Sequence, residues 1–153
     1  MSHISYSEFR IWNECPYKHK LKYLDKVYDF QGSEHTAFGT AIHSVCENSV
    51  VSDTFDKAKH FREAFANELA KLPEATKENL NQDLIDSMYR EGPDLAEGAV
   101  PALESYFGNF EVVSTEEGLY ESMENFDSQI FKGYIDLVIK TEDGKHHILD
   151  WNI

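Results

Sequence analysis

Residues 129–153 read QIFKGYIDLVIKTEDGKHHILDWNI, and the rest of the chain is interpreted around this stretch. Two apolar runs rich in β-branched and aromatic residues flank the polar segment 141–145, where Gly144 can adopt a positive φ. This pattern predicts a β-hairpin. Both arms carry apolar residues at successive positions, so we expect both faces of the hairpin to be buried in the middle of a covered sheet.

The register of this hairpin decides whether its two aspartates, Asp136 and Asp150, meet. A three-residue loop over 142–144 places them directly opposite each other, with Cβ atoms about 4.5–5.5 Å apart. A two-residue loop over 143–144 would instead place Trp151 opposite Asp136. Glycine in the left-handed position is common in hairpins with a three-residue loop, so the sequence is compatible with the first register, and the second stays open as the alternative.

Two carboxylates held close together away from water repel each other. A proton or a cation must therefore lie between them. Oxygen ligands in a tight cluster suit Mg²⁺ or Mn²⁺. The plainer alternative is that Asp136 and Asp150 each merely end a strand.

The composition sets bounds on the fold and on possible partners. A chain of 153 residues with 41% hydrophobic content predicts a single domain over 1–153 with a sizeable core. The net charge of −14 argues against a general nucleic-acid coat. Residues 1–31, however, carry five basic and four acidic side chains, so the N-terminal helices are where DNA would bind. The candidate DNA-binding residues there are Lys18, Lys20 and Lys22.

The chain carries no obvious targeting or disulfide signal. Its N-terminus lacks an apolar signal-peptide core, and no apolar run approaches the ~20 residues that span a bilayer, so we expect an intracellular protein without membrane contact. Cys15 and Cys46 lack the CxxC spacing of zinc and redox sites and are interpreted as reduced thiols.

Helices are predicted before the hairpin from caps and apolar periodicity. Ser5 or Ser7 caps a first helix through Cys15, and Pro16 breaks it or opens a basic amphipathic helix over Tyr17–Val27, with Leu24 on its apolar side. A third helix runs from Ala37 to Val51. The block 53–107 is interpreted as a helical insertion, and Glu111–Met123 as one or two strands. Within the insertion, the predicted helices run from a cap at Asp53 or Thr54 through Leu72, over Asp83–Arg90, and over Pro93–Phe107.

The third helix carries His43, and Glu47 lies four residues on, on the same helical face. A lone helical histidine is more often structural than a ligand. The order of short motifs along the chain, however, favours the interpretation of His43 as a ligand. They are ISYSEF (4–9) with CPYK (15–18), FGTAIH (38–43), GYID (133–136) and ILDW (148–151).

In this order the motifs resemble the RecB-like branch of the PD-(D/E)XK nuclease superfamily. The branch includes the RecB and AddB nuclease domains, CRISPR-associated RecB-like exonucleases and phage exonucleases. The resemblance implies a restriction-endonuclease-like α/β fold, a mixed sheet with flanking helices, truncated after the third motif. It also implies the cytoplasm of a bacterial or phage-infected cell.

The resemblance further implies the residues of a metal site. His43, Asp136 and Asp150 would be the catalytic metal ligands for Mg²⁺ or Mn²⁺, with the Leu149 carbonyl as a fourth ligand. The metal would polarise the scissile phosphate and lower the pKa of an attacking water. Glu47 is a secondary candidate that would hold a water beside the metal.

The chain departs from the family pattern after Asp150. Asn152 stands where the family has the lysine that orients the attacking water. The following DNA-contacting helix is absent, and so are the later cysteines of members that hold an iron–sulfur cluster. Cys15 is therefore interpreted as a core thiol. Lys132 and Lys140 lie about 13 Å along the strand from Asp136 and are poor substitutes for the lysine.

We therefore expect a metal-dependent DNA exonuclease, impaired by Asn152 and by truncation. One alternative is a non-catalytic DNA-binding or protein-interaction module that keeps the nuclease fold. Another, motivated by the net charge alone, is an acidic protein-binding inhibitor. An unpaired strand edge at 148–153 would favour a dimer. Digestion polarity and strand preference stay open.

Overall fold

The computed structural model of the chain describes residues 2–27, 31–52, 54–123 and 129–151. The elements in chain order are β1 (Ser2–Ser5), α1 (Tyr6–Glu14), α2 (Pro16–His19), a π-helical turn (Lys20–Leu24), α3 (Glu34–Val51), α4 (Lys57–Lys71), α5 (Glu74–Lys77), α6 (Gln82–Phe107), β2 (Phe110–Ser122), β3 (Gln129–Thr141) and β4 (His146–Leu149). They divide into two compact units. The first unit comprises Met1–Phe30 and Glu116–Ile135, and the second comprises Gln31–Thr115 and Asp136–Ile153.

The strands form a mixed sheet in which β3 pairs with each of the others. The order is β1-β3-β2, and β4 also pairs with β3. In the first unit β1 runs parallel to β3, with Ser2 opposite Gln129 and Ser5 opposite Lys132. In the second unit β4 runs antiparallel to β3. The predicted α/β class is confirmed, whereas β1 was not predicted, because four residues are too few to show a periodic pattern.

The hairpin has the three-residue loop of the first predicted register. Leu137 lies opposite Leu149 and Lys140 opposite His146, which is the register that brings positions 136 and 150 together. The Thr141 N–H donates to the Lys145 carbonyl at 3.0 Å and closes the loop. Gly144 has a φ of 81°, a left-handed conformation that costs glycine nothing. The first of the two predicted registers and the predicted role of Gly144 are both confirmed.

The prediction that both hairpin faces are buried is wrong. In the second unit Leu137 and Ile139 are fully buried against Leu103 of α6. On the alternate face Ile148 of β4 is 70% exposed. Helices of this unit therefore cover one face of the hairpin, and successive apolar residues alone do not show that both faces are covered.

The main core of the second unit lies among α3, α4 and α6, which pack against one another. Phe38 of α3 makes edge-to-face contacts with Phe61 and Phe65 of α4, at centroid distances of 5.7 and 5.8 Å. Such pairs contribute beyond the area they bury. The phenylalanine cluster holds α3 in place, and α3 in turn carries His43.

The interval 83–107 is one continuous helix, α6, and the prediction of two helical segments is wrong. Pro93 and Pro101 lie inside α6, where each removes one backbone hydrogen bond at a cost of about 3 kcal/mol. Gly92 and Pro93 are buried, and Gly92 lies directly under the Phe61 ring. Packing against α4 offsets the loss of helical hydrogen bonds, which local sequence rules do not register.

Two other helices of the second unit begin at residues different from those predicted. Helix α3 begins at Glu34, three residues earlier than expected, because Ser33 and Thr36 form a capping box. Helix α4 begins at Lys57, because the Asp56 carboxylate accepts from the Lys59 N–H at 2.9 Å. Of the caps predicted there, Thr54 lies before the helix and Asp53 lies outside the described residues.

In the first unit the cap predicted at Ser5 is confirmed, since its Oγ accepts from the Glu8 N–H at 3.1 Å. Pro16 opens the next helix, one of the two predicted alternatives, and the chain is helical as far as Leu24. The continuous amphipathic α-helix predicted over Tyr17–Val27 is wrong in its form and its end. Helix α2 gives way to the π-helical turn, which ends at Leu24, and Leu24 is 67% exposed. Cys15 is half-buried, not a core thiol, and its Sγ accepts from the Lys18 N–H at the start of α2.

No helix of the described ranges is long and apolar enough to cross a membrane. Within the described strands, β4 pairs only with β3. A dimer formed through its other edge, and the single-domain organisation over 1–153, stay predictions.

We expect Gly92→Ala to lower the free energy of unfolding by about 1–3 kcal/mol, because a Cβ at position 92 would lie 2.1 Å from Phe61 Cζ. Gly98→Ala, in the same helix, is the matched control. Among the described residues, no atom outside the adjoining helical backbone lies within 4 Å of its added Cβ, so the better helix propensity of alanine should raise the free energy of unfolding by about 0.5–1 kcal/mol. Thermal unfolding measures both, and equal effects of the two variants would contradict the proposed close approach of α4 and α6.

Candidate metal centre

Helix α3 presents two polar side chains at the same end of the second unit. His43 and Glu47 lie one helical turn apart, and His43 Nδ1 is 3.7 Å from Glu47 Oε1. Their side chains are 29% and 25% exposed, so water reaches both. The neighbouring positions Ile42 and Cys46 are buried in the core. The amphipathic pattern of α3 therefore turns His43 and Glu47 to the edge of the core.

The hairpin brings the two aspartates to this same place. Asp136 lies on β3, and its side chain is 12% exposed. Asp150 follows the last residue of β4 and is exposed. Asp136 Oδ2 accepts from the Trp151 N–H at 2.8 Å and lies 3.5 Å from His43 Nε2. One carboxylate oxygen thus holds the chain just after β4 and also faces the histidine.

The Trp151 backbone is bound on both sides. Its N–H donates to Asp136, and its carbonyl accepts from His43 Nε2 at 2.6 Å. Because a carbonyl can only accept, the Nε2 of His43 carries the proton in this arrangement. A cation bound by Nε2 would replace that proton, whereas a cation bound by Nδ1 would leave the hydrogen bond in place.

The side chains of His43, Asp136 and Asp150 converge on one point. One nitrogen and two carboxylate oxygens, one atom from each residue, all lie within 4.8 Å of one another. An imidazole with two carboxylates suits a divalent cation that accepts both nitrogen and oxygen ligands. The donor set and its spacing therefore fit a divalent metal ion.

The two carboxyl groups interact strongly. A hydrogen bond with Asp136 raises the pKa of Asp150 above its ordinary value. Partial desolvation and repulsion between the two carboxylates add to the rise, and His43 opposes it. Asp150 therefore keeps a proton more readily than an isolated aspartate does. A cation between the two carboxylates would take the place of that proton.

The remaining predicted site residues fall in different places. The Leu149 side chain packs beside the core cluster of Leu103, Leu137 and Ile139, and its carbonyl as a ligand stays a prediction. Asn152 lies outside the described residues. Lys18, Lys20 and Lys22 belong to the first unit.

These three lysines are already engaged with neighbours in the first unit. Lys18 Nζ lies 4.0 Å from Glu14, Lys20 pairs with Asp25, and Lys22 lies over the Tyr23 ring. Their role in DNA binding stays a prediction. Partial neutralisation by adjacent carboxylates weakens the attraction that Lys18 and Lys20 would exert on phosphate.

Sequence reasoning missed the part that Trp151 plays. Its side chain packs beside both core clusters of the second unit, while its backbone contacts Asp136 and His43. The indole Nε1 is buried without a hydrogen-bond partner among the described residues. The only signal was the aromatic residue after Asp150, and side-chain identity does not predict backbone hydrogen bonds.

Cys46 is a structural residue of this unit. It is 3% exposed, and burial raises the pKa of its thiol to about 11, with Glu47 contributing. A thiol with so high a pKa is a poor nucleophile and a poor metal ligand at neutral pH. Cys46 therefore does not belong to the metal-ligand set.

We expect Asp150→Asn to raise the melting temperature of the metal-free protein at neutral pH. The raised pKa of Asp150 means that the folded state binds the proton more tightly than the unfolded state. Its contribution to stability therefore falls as pH rises from the ordinary value of 3.8 through the folded pKa. The asparagine side chain of the variant still donates a hydrogen bond to Asp136 and has no proton to lose as pH rises. The difference in melting temperature between the two proteins should therefore vanish in acid, where Asp150 is protonated. Melting in chelator across pH measures it.

Asp143→Asn in the same hairpin is the control, because the pKa of Asp143 is shifted in the opposite direction. Hydrogen bonds from Lys145 and Thr141 hold the pKa of Asp143 well below its ordinary value. Its stabilising contribution is therefore present at neutral pH and is lost as pH falls through the folded pKa. We expect this variant to melt slightly lower at neutral pH. Stabilisation by both substitutions would contradict the proton-sharing pair of Asp136 and Asp150.

Comparison with known proteins identifies the family. The family model of the PD-(D/E)XK nuclease superfamily matches residues 3–151, nearly the whole chain. None of the curated proteins matches the chain. The mixed sheet with flanking helices agrees with the restriction-endonuclease-like α/β fold, and that predicted fold class is confirmed. Nucleases of this superfamily generally use divalent metal ions, which agrees with the convergence of His43, Asp136 and Asp150. The chain belongs to the PD-(D/E)XK nuclease superfamily.

Proposed function

We propose that this chain is a Mg²⁺- or Mn²⁺-dependent DNA exonuclease of the RecB-like branch, with a reaction rate reduced by Asn152. The observation that carries the proposal is the convergence of His43, Asp136 and Asp150 within 4.8 Å. These residues come from a helix, a strand and a strand end that are far apart in sequence. They are also the acids and the histidine of the motifs that resemble this branch.

The proposed roles follow from the contacts of each residue. Asp136 is the most enclosed of the three, and its second function is to fix the Trp151 N–H. Asp150 is exposed and would face the phosphate, with the Leu149 carbonyl as a further oxygen ligand. A divalent cation held here would polarise the scissile phosphate and lower the pKa of the attacking water.

His43 and Glu47 form the α3 side of the proposed centre. The Trp151 carbonyl fixes the imidazole ring, which limits its rotation. Glu47 lies 3.7 Å from His43 Nδ1 and would accept a hydrogen bond from the attacking water. Glu47 is a secondary candidate for this role.

Asn152 is the reason for proposing a reduced rate. The family pattern has a lysine at this position, which orients the attacking water and stabilises charge on the phosphorane. Asparagine is neutral and shorter, so it supplies no compensating charge. Losing one group that stabilises the transition state costs on the order of 100-fold in rate.

Cleavage of end-labelled linear DNA in Mn²⁺ tests the proposal. We expect weak exonuclease activity in the natural chain and a rise on the order of 100-fold in Asn152→Lys. Asp136→Ala should lower the activity of either chain by at least roughly 10–100-fold. Asp143→Ala is the matched control on the hairpin loop and should cleave like its parent, since Asp143 bonds to Lys145 and Thr141.

Metal binding provides a second readout that needs no cleavage. Mn²⁺ at about 100 times its Kd should stabilise the natural chain by about 2.7 kcal/mol. Asp136→Ala should lose most of that stabilisation. If Asp136→Ala binds Mn²⁺ with unchanged affinity, the proposed metal centre is wrong.

The second candidate function is a non-catalytic DNA-binding or protein-interaction module, and Asn152 is the observation that favours it. It predicts no cleavage by any of these chains. It also predicts weak, salt-sensitive DNA binding that is lost on charge reversal at Lys18, Lys20 and Lys22.

The proposal also extends to the cell and the assembly. A single nuclease domain over 1–153, with the helices of 53–107 as an insertion, would act in the cytoplasm of a bacterial or phage-infected cell, where its substrate is found. Among the described strands β4 pairs only with β3, and we propose its other edge as a dimer contact. Light scattering that shows a monomer would count against that contact.

A further inference from the structure

The first unit exposes several aromatic side chains. Six described aromatic residues of this unit expose half or more of their surface, and Tyr17 (68%) is one of them. The other five are Tyr6 (62%), Phe9 (54%), Trp12 (51%), Tyr120 (56%) and Tyr134 (58%). Large aromatic residues bury 150–250 Å² when they serve a core. A contiguous exposed set is the kind of surface that marks a binding site.

These five side chains follow one another along the surface, and we name them the aromatic track. On α1, Tyr6, Phe9 and Trp12 recur every three residues, so each is next to the following one on the helix surface, and the Phe9 and Trp12 rings stack at a centroid distance of 6.4 Å. Tyr6 and Tyr134 line the same groove, of about 620 Å³. The hydroxyls of Tyr134 and Tyr120 lie 3.4 Å apart and complete the track.

The Lys132 side chain places a positive charge beside the two tyrosines of the track that lie on strands. Lys132 Nζ is 5.3 Å from the Tyr134 ring centroid and 5.8 Å from that of Tyr120. A hydrogen bond with Tyr134 raises the pKa of Lys132, so the ammonium stays charged at neutral pH. His3 and Ser7 line the same groove and add hydrogen-bonding groups.

Exposed ring faces beside a positive charge match the chemistry of one ligand class. Single-stranded nucleic acid offers unpaired bases that stack on aromatic rings, together with a phosphate backbone that attracts lysine. Duplex DNA keeps its base faces stacked inside the helix and cannot use the rings. An apolar protein partner would use the rings but leave the Lys132 ammonium without an anion.

We propose that the aromatic track, with Lys132, binds single-stranded DNA through base stacking. This inference rests on the proposed nuclease function and specifies the form of its substrate. The track lies within the first unit, so its binding can be measured separately from the chemistry of the metal centre.

Binding of a fluorescent oligothymidine of about 15 nucleotides tests the proposal, and chelator in the buffer removes the metal ions that cleavage would need. We expect Phe9→Ala and Tyr134→Ala each to weaken binding about tenfold, the effect of losing one stacked base. Phe9→Leu keeps apolar volume but removes the ring, and it should weaken binding similarly. Lys132→Gln should lower the salt dependence by about one counterion.

The chain offers matched controls for these substitutions. Tyr106→Ala removes an aromatic ring that is 83% exposed on α6 of the second unit, and it should leave binding unchanged. Lys59→Gln removes an exposed lysine of α4 in the same way. Trp12 fluorescence should be quenched by the oligonucleotide, and Trp12→Phe should abolish that quenching.

Two results would overturn the track. One is unchanged oligothymidine affinity in Phe9→Ala and Tyr134→Ala, and the other is duplex DNA that competes as well as single strands. If the natural chain cleaves DNA and these variants bind as tightly as it does, the proposed role of the aromatic track is wrong and the proposed nuclease function still stands. If binding depends on the aromatic rings but no metal-dependent cleavage is found, the proposed role of the aromatic track is supported and the proposed nuclease function is wrong.

Discussion

The register of the β3–β4 hairpin is the constraint on which the rest of the candidate site depends. Gly144, with its left-handed backbone, closes a three-residue loop and fixes which residues of the two strands face each other. A shift by one residue would turn the side chains of β4 to the other face. Leu149 would then leave the core, and Asp150 would no longer face Asp136. A single turn therefore determines both the packing of the hairpin and the meeting of the two acids.

Helix α3 contributes to both the core and the site. Its inward residues, including Phe38 and Ile42, are buried with the phenylalanines of α4, while His43 and Glu47 lie at the edge of that core. The position of the histidine relative to Asp136 is thus set by aromatic packing elsewhere in the second unit. The close approach of Gly92 and Phe61 belongs to the same packing. Polar ligands placed on a rigid apolar support keep their geometry without many contacts of their own.

The elements with strong local signals were the ones that sequence could predict. Glycine in the loop predicted the hairpin and left two registers, of which the structure has the one with the three-residue loop. Ser5 was one of two caps predicted for α1, and it is the cap observed. The predictions that were wrong concern features that depend on tertiary packing. Burial against α4 keeps α6 continuous through Pro93, and Ile148 lies on the exposed face of the hairpin. The four motifs predicted which residues would converge, but the backbone contacts of Trp151 carried no sequence signal.

Because Trp151 is bound within the folded second unit, its backbone loses conformational entropy when the unit folds and not when a ligand binds. Its indole packs beside both core clusters, and its backbone is bound to Asp136 and His43. Ordering a backbone residue costs about 1–2 kcal/mol, and this loss occurs when the second unit folds. A ligand that arrives at Asp136 and His43 therefore meets two side chains that are already held by the Trp151 backbone. Affinity at such a centre depends on charge and desolvation more than on the ordering of the protein.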